Sequence, residues 1–251
     1  GSRILLKCIL RGADAVVTVA PYDVNYVHQV TDFRVPVYTI ANGIETGRFK
    51  PMDKESAKLK LGLSGTTVIG FTGLLEKWID LDTVIELLPE ARARLGDIRL
   101  LIVGGSSYCS YDNELRNKAR NLGLLDVITV TGMVPYAEVS SYVGAMDVCL
   151  NPRHPLEMNS GAISNKLLGY LACGRPVLSC NNLAAERRFR HVYPYTRETF
   201  VDTLDSLLSA LPSAETVRSE MHGYDWNEVA LQFERMLQEA APSKQKVRCQ
   251  K

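Results

Sequence analysis

The sequence predicts an α/β fold in which a parallel sheet is covered by helices on both faces. Two observations support this prediction. Short apolar segments alternate with segments of helical periodicity along most of the 251 residues. Several of these apolar segments are hydrophobic at every position, as are strands of a parallel sheet that is buried on both faces. In such a sheet, ligands bind in the loops at the carboxyl ends of the strands.

The apolar segments give the predicted strands in chain order. Residues 15–20 and 35–40 are β-branched runs, and the second ends at the turn dipeptide Asn42-Gly43. Residues 98–103 are almost continuously apolar and end at Gly104-Gly105. The other predicted strands are residues 67–72, 127–131, 147–150 and 176–179. Helical periodicity predicts helices at residues 81–95, 114–122, 137–145, 165–173, 197–211 and 226–240.

Composition narrows the class of protein. Apolar residues make up 46% and charged residues 23%, as in ordinary globular domains. The net charge of +1 gives no basic field that would recruit nucleic acid, so no nucleic-acid partner is expected. None of the six cysteines forms a CxxC pair, which argues against a zinc site and favours a reducing, cytoplasmic setting. No apolar run reaches the roughly 20 residues that span a membrane.

Two of the predicted strand ends carry glycines. Gly73 follows residues 67–72 and would let a ligand approach the backbone, while Lys77 could place a positive charge on a phosphate. A plain turn with a solvated lysine explains the same residues. Gly104 and Gly105 also permit close approach, but the GxGxxG fingerprint is missing, which disfavours a classical NAD site.

Two further loops carry polar and charged residues. Small and polar residues at 159–166 precede a predicted helix, so its free N–H groups and Lys166 could bind a diphosphate. Ser164 or Asn165 could equally be an ordinary N-cap. In the loop after residues 147–150, Glu157 could accept hydrogen bonds from sugar hydroxyls and Arg153 could pair with a phosphate. A polar surface loop is the alternative there.

The order of these motifs resembles a known family. Residues 165–177 (NKLLGYLACGRPV) are the most specific stretch. The other segments that carry the resemblance are residues 40–45 with 49–51, 71–73 with 76–77, 101–105, 127–134, 145–152 and 224–226. Over residues 13–240 the chain is similar to the carboxyl-terminal half of family 4 retaining glycosyltransferases. Their GT-B fold has two facing Rossmann-like domains.

The resemblance implies a domain organisation. Residues 1–34 would be a remnant of the amino-terminal GT-B domain with its linker, and residues 35–215 the Rossmann-like donor-binding domain. Residues 216–251 would form a terminal cross-over helix and a polar tail. Because most of the acceptor-binding half is missing, we expect this chain to bind donor without turning it over. The surface that faced the missing half should be apolar.

The resemblance also implies roles for individual residues. Lys77 and Glu157 would be catalytic, and Gly161 is the alternative to Glu157 for the first Glu of the family's Glu-x7-Glu pattern. Val134 and Pro135 would lie beside the base of the nucleotide. The other implied donor-binding residues are Gly73, Gly104, Arg153, Ser164, Asn165, Lys166 and Leu167.

Three positions depart from the family's pattern. Gly169 stands where the family has the Glu that binds the ribose hydroxyls, so a charge-assisted contact is lost. Leu74 stands where an Arg is usual, and Trp78 replaces the glycine after the lysine.

The predicted function is transfer of a sugar, with retention, from a UDP- or GDP-linked donor to a glycan, lipid or polysaccharide acceptor. No metal or cofactor is expected. The resemblance places the whole protein in the cytoplasm, as a peripheral protein at the inner membrane face. Two alternatives stay open at this point: a degenerate nucleotide-binding or assembly module without catalysis, and a sugar-nucleotide epimerase of GT-B architecture.

Overall fold

The computed structural model describes residues 2–106, 110–154, 163–180 and 186–240. They fall into two compact units. The first consists of residues 2–44, Ile163 and residues 223–240, and the second of the described residues between 45 and 222 other than Ile163. The predicted domain boundaries after residues 34 and 215 remain predictions about the whole protein.

The secondary-structure elements are labelled in chain order. The strands are β1 (Val16–Thr18), β2 (Val37–Thr39), β3 (Thr67–Thr72), β4 (Ile98–Val103), β5 (Ile128–Val130), β6 (Val148–Asn151), β7 (Val177–Cys180) and β8 (Val192–Tyr195). The helices are α1 (Ser2–Gly12), α2 (Pro21–Thr31), α3 (Lys54–Lys60), α4 (Leu81–Leu95), α5 (Tyr111–Asn121), α6 (Tyr136–Gly144), α7 (Asn165–Ala172), α8 (Phe200–Ser209), α9 (Ala214–Arg218) and α10 (Trp226–Ala240). Single 3₁₀ turns lie at Glu186–Arg188 and Ser219–Met221.

The second unit is built on a parallel sheet with the strand order β5-β4-β3-β6-β7-β8. Strand β3 pairs with β4 along its whole length and with β6 on its other side. The chain therefore builds the sheet outward from β3 in one direction and then from β6 in the other. Such a reversal opens a crevice at the carboxyl ends of the two central strands. The predicted α/β fold is confirmed.

Alternation along β3 sends side chains to opposite faces of the sheet. Ile69 and Phe71 are fully buried in a cluster with Ile85 of α4 and Phe200 of α8. Gly70 leaves room for a neighbouring side chain, since a Cβ there would lie 2.4 Å from the sulfur of Met146. Burial of large side chains contributes about 1.5–3 kcal/mol each, so this packing holds the strand ends in place.

A buried ion cluster anchors α3 to the sheet. Asp147, just before β6, accepts hydrogen bonds from Lys54 Nζ at 2.6 Å and from Lys58 Nζ at 2.7 Å. It also accepts one from the backbone N–H of Val68 at 2.8 Å. Lys58 donates further to the carbonyl of Thr66 at 2.7 Å. Burial opposes ionisation of Asp147, but these hydrogen bonds outweigh it and hold the pKa of the carboxyl below its ordinary value.

The first unit contains a small parallel sheet of β1 and β2, paired from Val16–Val37 to Thr18–Thr39. Helix α10 packs on it through Val229 and Met236, which form a buried cluster with Ile40. Gly43 lies directly against Trp226, because a Cβ on Gly43 would lie 2.8 Å from the indole ring. The turn between the sheet and the next segment therefore requires glycine.

The first unit also leaves apolar side chains exposed. On α1 these are Ile4, Leu5, Leu6 and Ile9, and on α10 they are Trp226, Leu231, Phe233 and Leu237. The resemblance predicted that this unit would present an apolar surface to another domain, and that contact stays a prediction. In the part of the chain that the structure describes, no helix combines the length and the apolar character that crossing a bilayer requires.

Sequence patterns did not predict α1, α2, α3, α9 or β8. Strand β8 contains Pro194, which normally argues against a strand. It lies at the edge of the sheet and pairs with β7, where a missing N–H is tolerated. Helix α3 is short, and its start is marked by Asp53, whose carboxylate accepts a hydrogen bond from the Ser56 N–H at 2.8 Å.

Removing the carboxylate of the buried ion cluster tests its structural role. Asp147→Ala is expected to lower the free energy of unfolding by about 3–5 kcal/mol, because Lys58 is left buried without its counter-ion. Asp202→Ala is the matched control, since Asp202 pairs with Arg94 at the surface and should cost no more than about 1 kcal/mol. Urea denaturation measures both, and equal losses would contradict the assignment.

Candidate functional site

The crevice between the carboxyl ends of β3 and β6 brings together most of the predicted site residues that the structure describes. Gly73 follows β3, Arg153 follows β6, and Ser164 precedes α7. The hydroxyl of Tyr170, fully buried in α7, accepts a hydrogen bond from the backbone N–H of Thr72 at 2.7 Å. This contact fixes the position of α7 relative to the end of β3.

Gly73 and Gly104 meet at the ends of β3 and β4. Both have positive φ, 139° and 144°, and the Gly73 N–H donates to the Val103 carbonyl at 2.9 Å. A Cβ on Gly104 would lie 1.9 Å from the carbonyl oxygen of Gly73. The two loops can approach this closely only because Gly104 has no side chain. The predicted pair of glycines thus forms a single structural feature.

The start of α7 has the properties of an anion site. Ser164 occupies the N-cap position, and its side chain makes no capping hydrogen bond to the helix. Asn165, Lys166 and Leu167 form the first turn, whose N–H groups have no partner within the helix. Leu167 is fully buried, so its predicted contact with a donor stays a prediction.

Lys166 extends from this helix over the crevice. Its Nζ lies 4.4 Å from the ring centre of Phe71 and 5.6 Å from that of Trp78. A Cβ on Gly73 would lie 3.4 Å from the same nitrogen. Burial, together with the positive charge of Arg153, lowers the pKa of Lys166 to about 7. In the described part of the chain no carboxylate forms an ion pair with it.

Arg153 and His154 line the crevice from the β6 side. The guanidinium carbon of Arg153 lies 6.0 Å from the centre of the Trp78 ring. The backbone N–H of His154 donates to the Trp78 carbonyl at 3.1 Å. The Nε2 of His154 lies 3.8 Å from Asp80 Oδ1. The ring of Trp78 therefore has two cations near it, Lys166 and Arg153.

A buried carboxyl group next to this site was not predicted from the sequence. Glu186 is 1% exposed and accepts hydrogen bonds from Ser179 Oγ at 2.6 Å and Asn151 Nδ2 at 3.0 Å. Burial raises its pKa, although the Ser179 hydrogen bond and the charge of Arg153 oppose that rise. Two polar residues in the sequence could have indicated a buried polar partner: Asn151 at the carboxyl end of β6 and Ser179 near the end of β7.

Lys77 lies apart from these residues. Its side chain is 69% exposed, and its Nζ pairs with Glu114 Oε1 of α5 at 3.2 Å. Its catalytic role stays a prediction. The predicted catalytic Glu157 and its alternative Gly161 lie outside the described residues.

The predicted base-binding residues lie beside the glycine loops. Gly104 forms an isolated bridge with Gly132, two residues before Val134. Val134 is half-buried, and the exposed Pro135 occupies the N-cap position of α6. Their contact with a base remains a prediction.

Among residues 2–106, 110–154, 163–180 and 186–240, no group of three His, Cys, Asp or Glu side chains could hold a metal ion. The buried Cys149 and Cys173 occupy core positions, as the apolar runs around them predicted.

A known protein family matches the part of the chain that forms the six-stranded sheet. Residues 66–210 match the family described as glycosyl transferases group 1, which is 145 of the 251 residues. The chain belongs to this family. The matched residues include all strands of the six-stranded sheet and the crevice between β3 and β6.

Curated relatives of this group 1 glycosyltransferase include two bacterial enzymes. The D-inositol 3-phosphate glycosyltransferase of Segniliparus rotundus is 29% identical over 55% of this chain and 30% of that protein. The GDP-mannose-dependent alpha-(1-6)-phosphatidylinositol monomannoside mannosyltransferase of Mycobacterium tuberculosis is 28% identical over 76% of this chain and 50% of that protein. The chain thus spans half or less of the length of these relatives.

Solved structures share the fold of the group 1 glycosyltransferase. The Anabaena protein HepE in complex with UDP gives a TM-score of 0.78 at 17% identity, covering 94% of this chain and 67% of that one. Sucrose-phosphate synthase from Thermosynechococcus elongatus gives 0.73 at 20% identity, covering 94% and 61%. These likenesses show the Rossmann-like α/β fold found in GT-B glycosyltransferases.

The close approach of the two glycine loops can be tested by adding a methyl group. Gly104→Ala is expected to lower the free energy of unfolding by about 1–3 kcal/mol, because φ is positive and the new Cβ meets the Gly73 carbonyl. Gly105→Ala is the control, since its Cβ would lie 3.5 Å from Met133, an ordinary contact. Chemical denaturation that shows equal stability for the two variants would refute this description of the loops.

Proposed function

We propose that this chain is the donor-binding part of a retaining, family 4 glycosyltransferase that uses a nucleotide diphosphate sugar. Membership of the group 1 glycosyltransferases supports the reaction class. The position of the crevice supports the donor site, because ligands of open parallel sheets bind where the strand order reverses.

One observation supports a diphosphate as the ligand of this crevice. The ammonium group of Lys166 lies against the Gly73 loop, and the N–H groups in the first turn of α7 have no partner within the helix. An ammonium group held among aromatic rings without a carboxylate is costly unless an anion binds it. Backbone amides at a helix start also favour phosphate, both by hydrogen bonding and through the helix dipole.

The same geometry suggests how the chain contributes to transfer. When the bond between the sugar and the diphosphate breaks, negative charge accumulates on the leaving phosphate oxygens. Donors that are already oriented toward those oxygens stabilise this charge more than they stabilise the intact donor. Lys166, Arg153 and the first turn of α7 are such donors, and no metal ion is required. Retention of configuration rests on the family resemblance.

The donor and acceptor are proposed from the relatives. The Mycobacterium tuberculosis relative is named as GDP-mannose-dependent, and the HepE structure contains UDP, so we propose a GDP- or UDP-linked sugar. The same mycobacterial enzyme is named for a phosphatidylinositol mannoside. We therefore propose a lipid-linked or polysaccharide acceptor for the whole protein, in the cytoplasm at the inner face of the membrane. This chain alone should bind donor and not turn it over.

Calorimetric titration of the chain with UDP, GDP and ADP tests donor binding. One of the three is expected to bind in the micromolar to millimolar range with a metal chelator present. The reason is that protein side chains, and not a metal ion, supply the positive charge of the proposed site. Added magnesium should not be needed. If none of the three binds at millimolar concentration, the proposal is wrong for this chain.

Restoring a carboxylate at position 169 tests whether the nucleotide lies as the family resemblance implies. Gly169→Glu should tighten binding of the preferred nucleotide by about tenfold or more, through charge-assisted hydrogen bonds to the ribose. Gly169→Ala is the control, because it changes the helix backbone without adding the carboxylate. Equal affinity for the two variants would contradict the proposed position of the ribose.

A further inference from the structure

Trp78 is a departure from the family's pattern that the proposed function does not explain. The family resemblance places a glycine at this position, and the chain has one other tryptophan, Trp226. The loop after β3 is anchored by Leu75 and Ile79, which are both fully buried. Trp78 packs against the same core but is only partly buried. The loop is therefore held by the buried neighbours of Trp78, while part of Trp78 itself stays accessible.

Three parts of the crevice wall meet at the ring of Trp78, which itself belongs to the loop after β3. Arg153, from the β6 side, has its guanidinium carbon 6.0 Å from the ring centre. Lys166, from the first turn of α7, has its Nζ 5.6 Å from the same centre. The Trp78 carbonyl accepts a hydrogen bond from the His154 N–H at 3.1 Å, which links the loops after β3 and β6. A ligand in this part of the crevice therefore lies beside the indole.

The order of the strands indicates which part of a donor reaches this ring. The predicted base-binding residues, Val134 and Pro135, follow β5, and Gly73 of the proposed diphosphate site follows β3. Strands β5 and β6 lie on opposite sides of β3. A nucleotide diphosphate sugar has its base at one end, its diphosphate in the middle and its sugar at the other end. With the base toward β5 and the diphosphate at β3, the sugar extends toward β6, where Arg153 lies beside Trp78.

We propose that Trp78 is a specificity-determining residue whose indole ring contacts the sugar of the donor and not its nucleotide. This inference rests on the proposed donor-binding function and adds the part of the site that recognises the sugar. The ligand of the ring is a pyranose, which has apolar C–H groups on its faces and hydroxyl groups at its rim.

The chemistry of the ring suits the uncharged end of the donor. The face of an indole is apolar and carries the negative part of the ring quadrupole, so it attracts C–H groups and disfavours a phosphate. Aromatic side chains supply apolar contact in ligand pockets, while a few polar groups fix the orientation of the ligand. Arg153, beside the ring, has N–H donors that suit the oxygens of sugar hydroxyls.

Calorimetric titration of the full chain with UDP, UDP-glucose, GDP and GDP-mannose tests the inference. The quantity compared is the ratio of the affinity for a nucleotide sugar to the affinity for its own nucleoside diphosphate. Trp78→Leu keeps an apolar side chain but removes the aromatic face, so it should lower this ratio about 3- to 10-fold. Trp78→Phe should restore most of the ratio, because an aromatic face remains.

Trp226→Phe is the matched control and should leave the ratio unchanged, since this half-exposed tryptophan belongs to the first unit. An unchanged ratio in Trp78→Leu would overturn the inference. An equal loss of affinity for the nucleoside diphosphate and the nucleotide sugar would do the same, because the ring would then serve the nucleotide. So would binding of a nucleoside diphosphate without either nucleotide sugar. Absence of any binding would instead refute the proposed function.

A direct measurement of the contact keeps the inference testable if a substitution at position 78 disturbs folding. In Trp226→Phe, the indole of Trp78 is the one indole left in the chain. Nuclear Overhauser effects are expected between its ring protons and the sugar protons of a bound nucleotide sugar. Effects that reach only base or ribose protons, or none at all from a bound nucleotide sugar, would show that the ring does not face the sugar.

Discussion

The reversal of strand order between β3 and β6 is the constraint on which the site depends. Because parallel strands end at one edge of the sheet, the loops after β3 and β6 separate there and leave a crevice. Packing of the helices then determines which residues line this crevice. The Tyr170 hydroxyl ties α7 to the end of β3, so the start of the helix and Lys166 are held over the Gly73 loop. Because Gly73 and Gly104 have no side chains, a phosphate can approach the backbone of these loops closely.

Two lysines of the second unit, the buried Lys58 and the partly buried Lys166, have opposite electrostatic surroundings. Lys58 is paired with Asp147 and hydrogen-bonded to a backbone carbonyl, so its charge is satisfied within the protein. Lys166 has aromatic rings and another cation near it, and its charge is not neutralised by any described residue. The first arrangement stabilises the fold and the second costs stability. A cost of this kind is characteristic of functional sites, where a ligand supplies the missing charge.

The sequence predicted much of the sheet and only part of the site. Strands β3 and β4 and helix α4 were found because continuous apolar runs and a regular helical period are local signals. The loops of the site were predicted because they directly follow the carboxyl ends of the predicted strands. The surroundings of Lys77 and Lys166 could not be predicted, because Glu114 and the rings of Phe71 and Trp78 are distant from them in sequence or lie on other elements. Glu186 was missed because its partners come from β6 and β7, and β8 because Pro194 conceals an edge strand.

The central claim is that a donor diphosphate binds between the Gly73 loop and the start of α7, with Lys166 as its cation. A crystal structure of the chain with the nucleotide sugar that binds it tests this claim most directly. We predict phosphate oxygens within hydrogen-bond distance of Lys166 Nζ and of the first backbone N–H groups of α7. Phosphates bound outside the crevice between β3 and β6 would contradict the account.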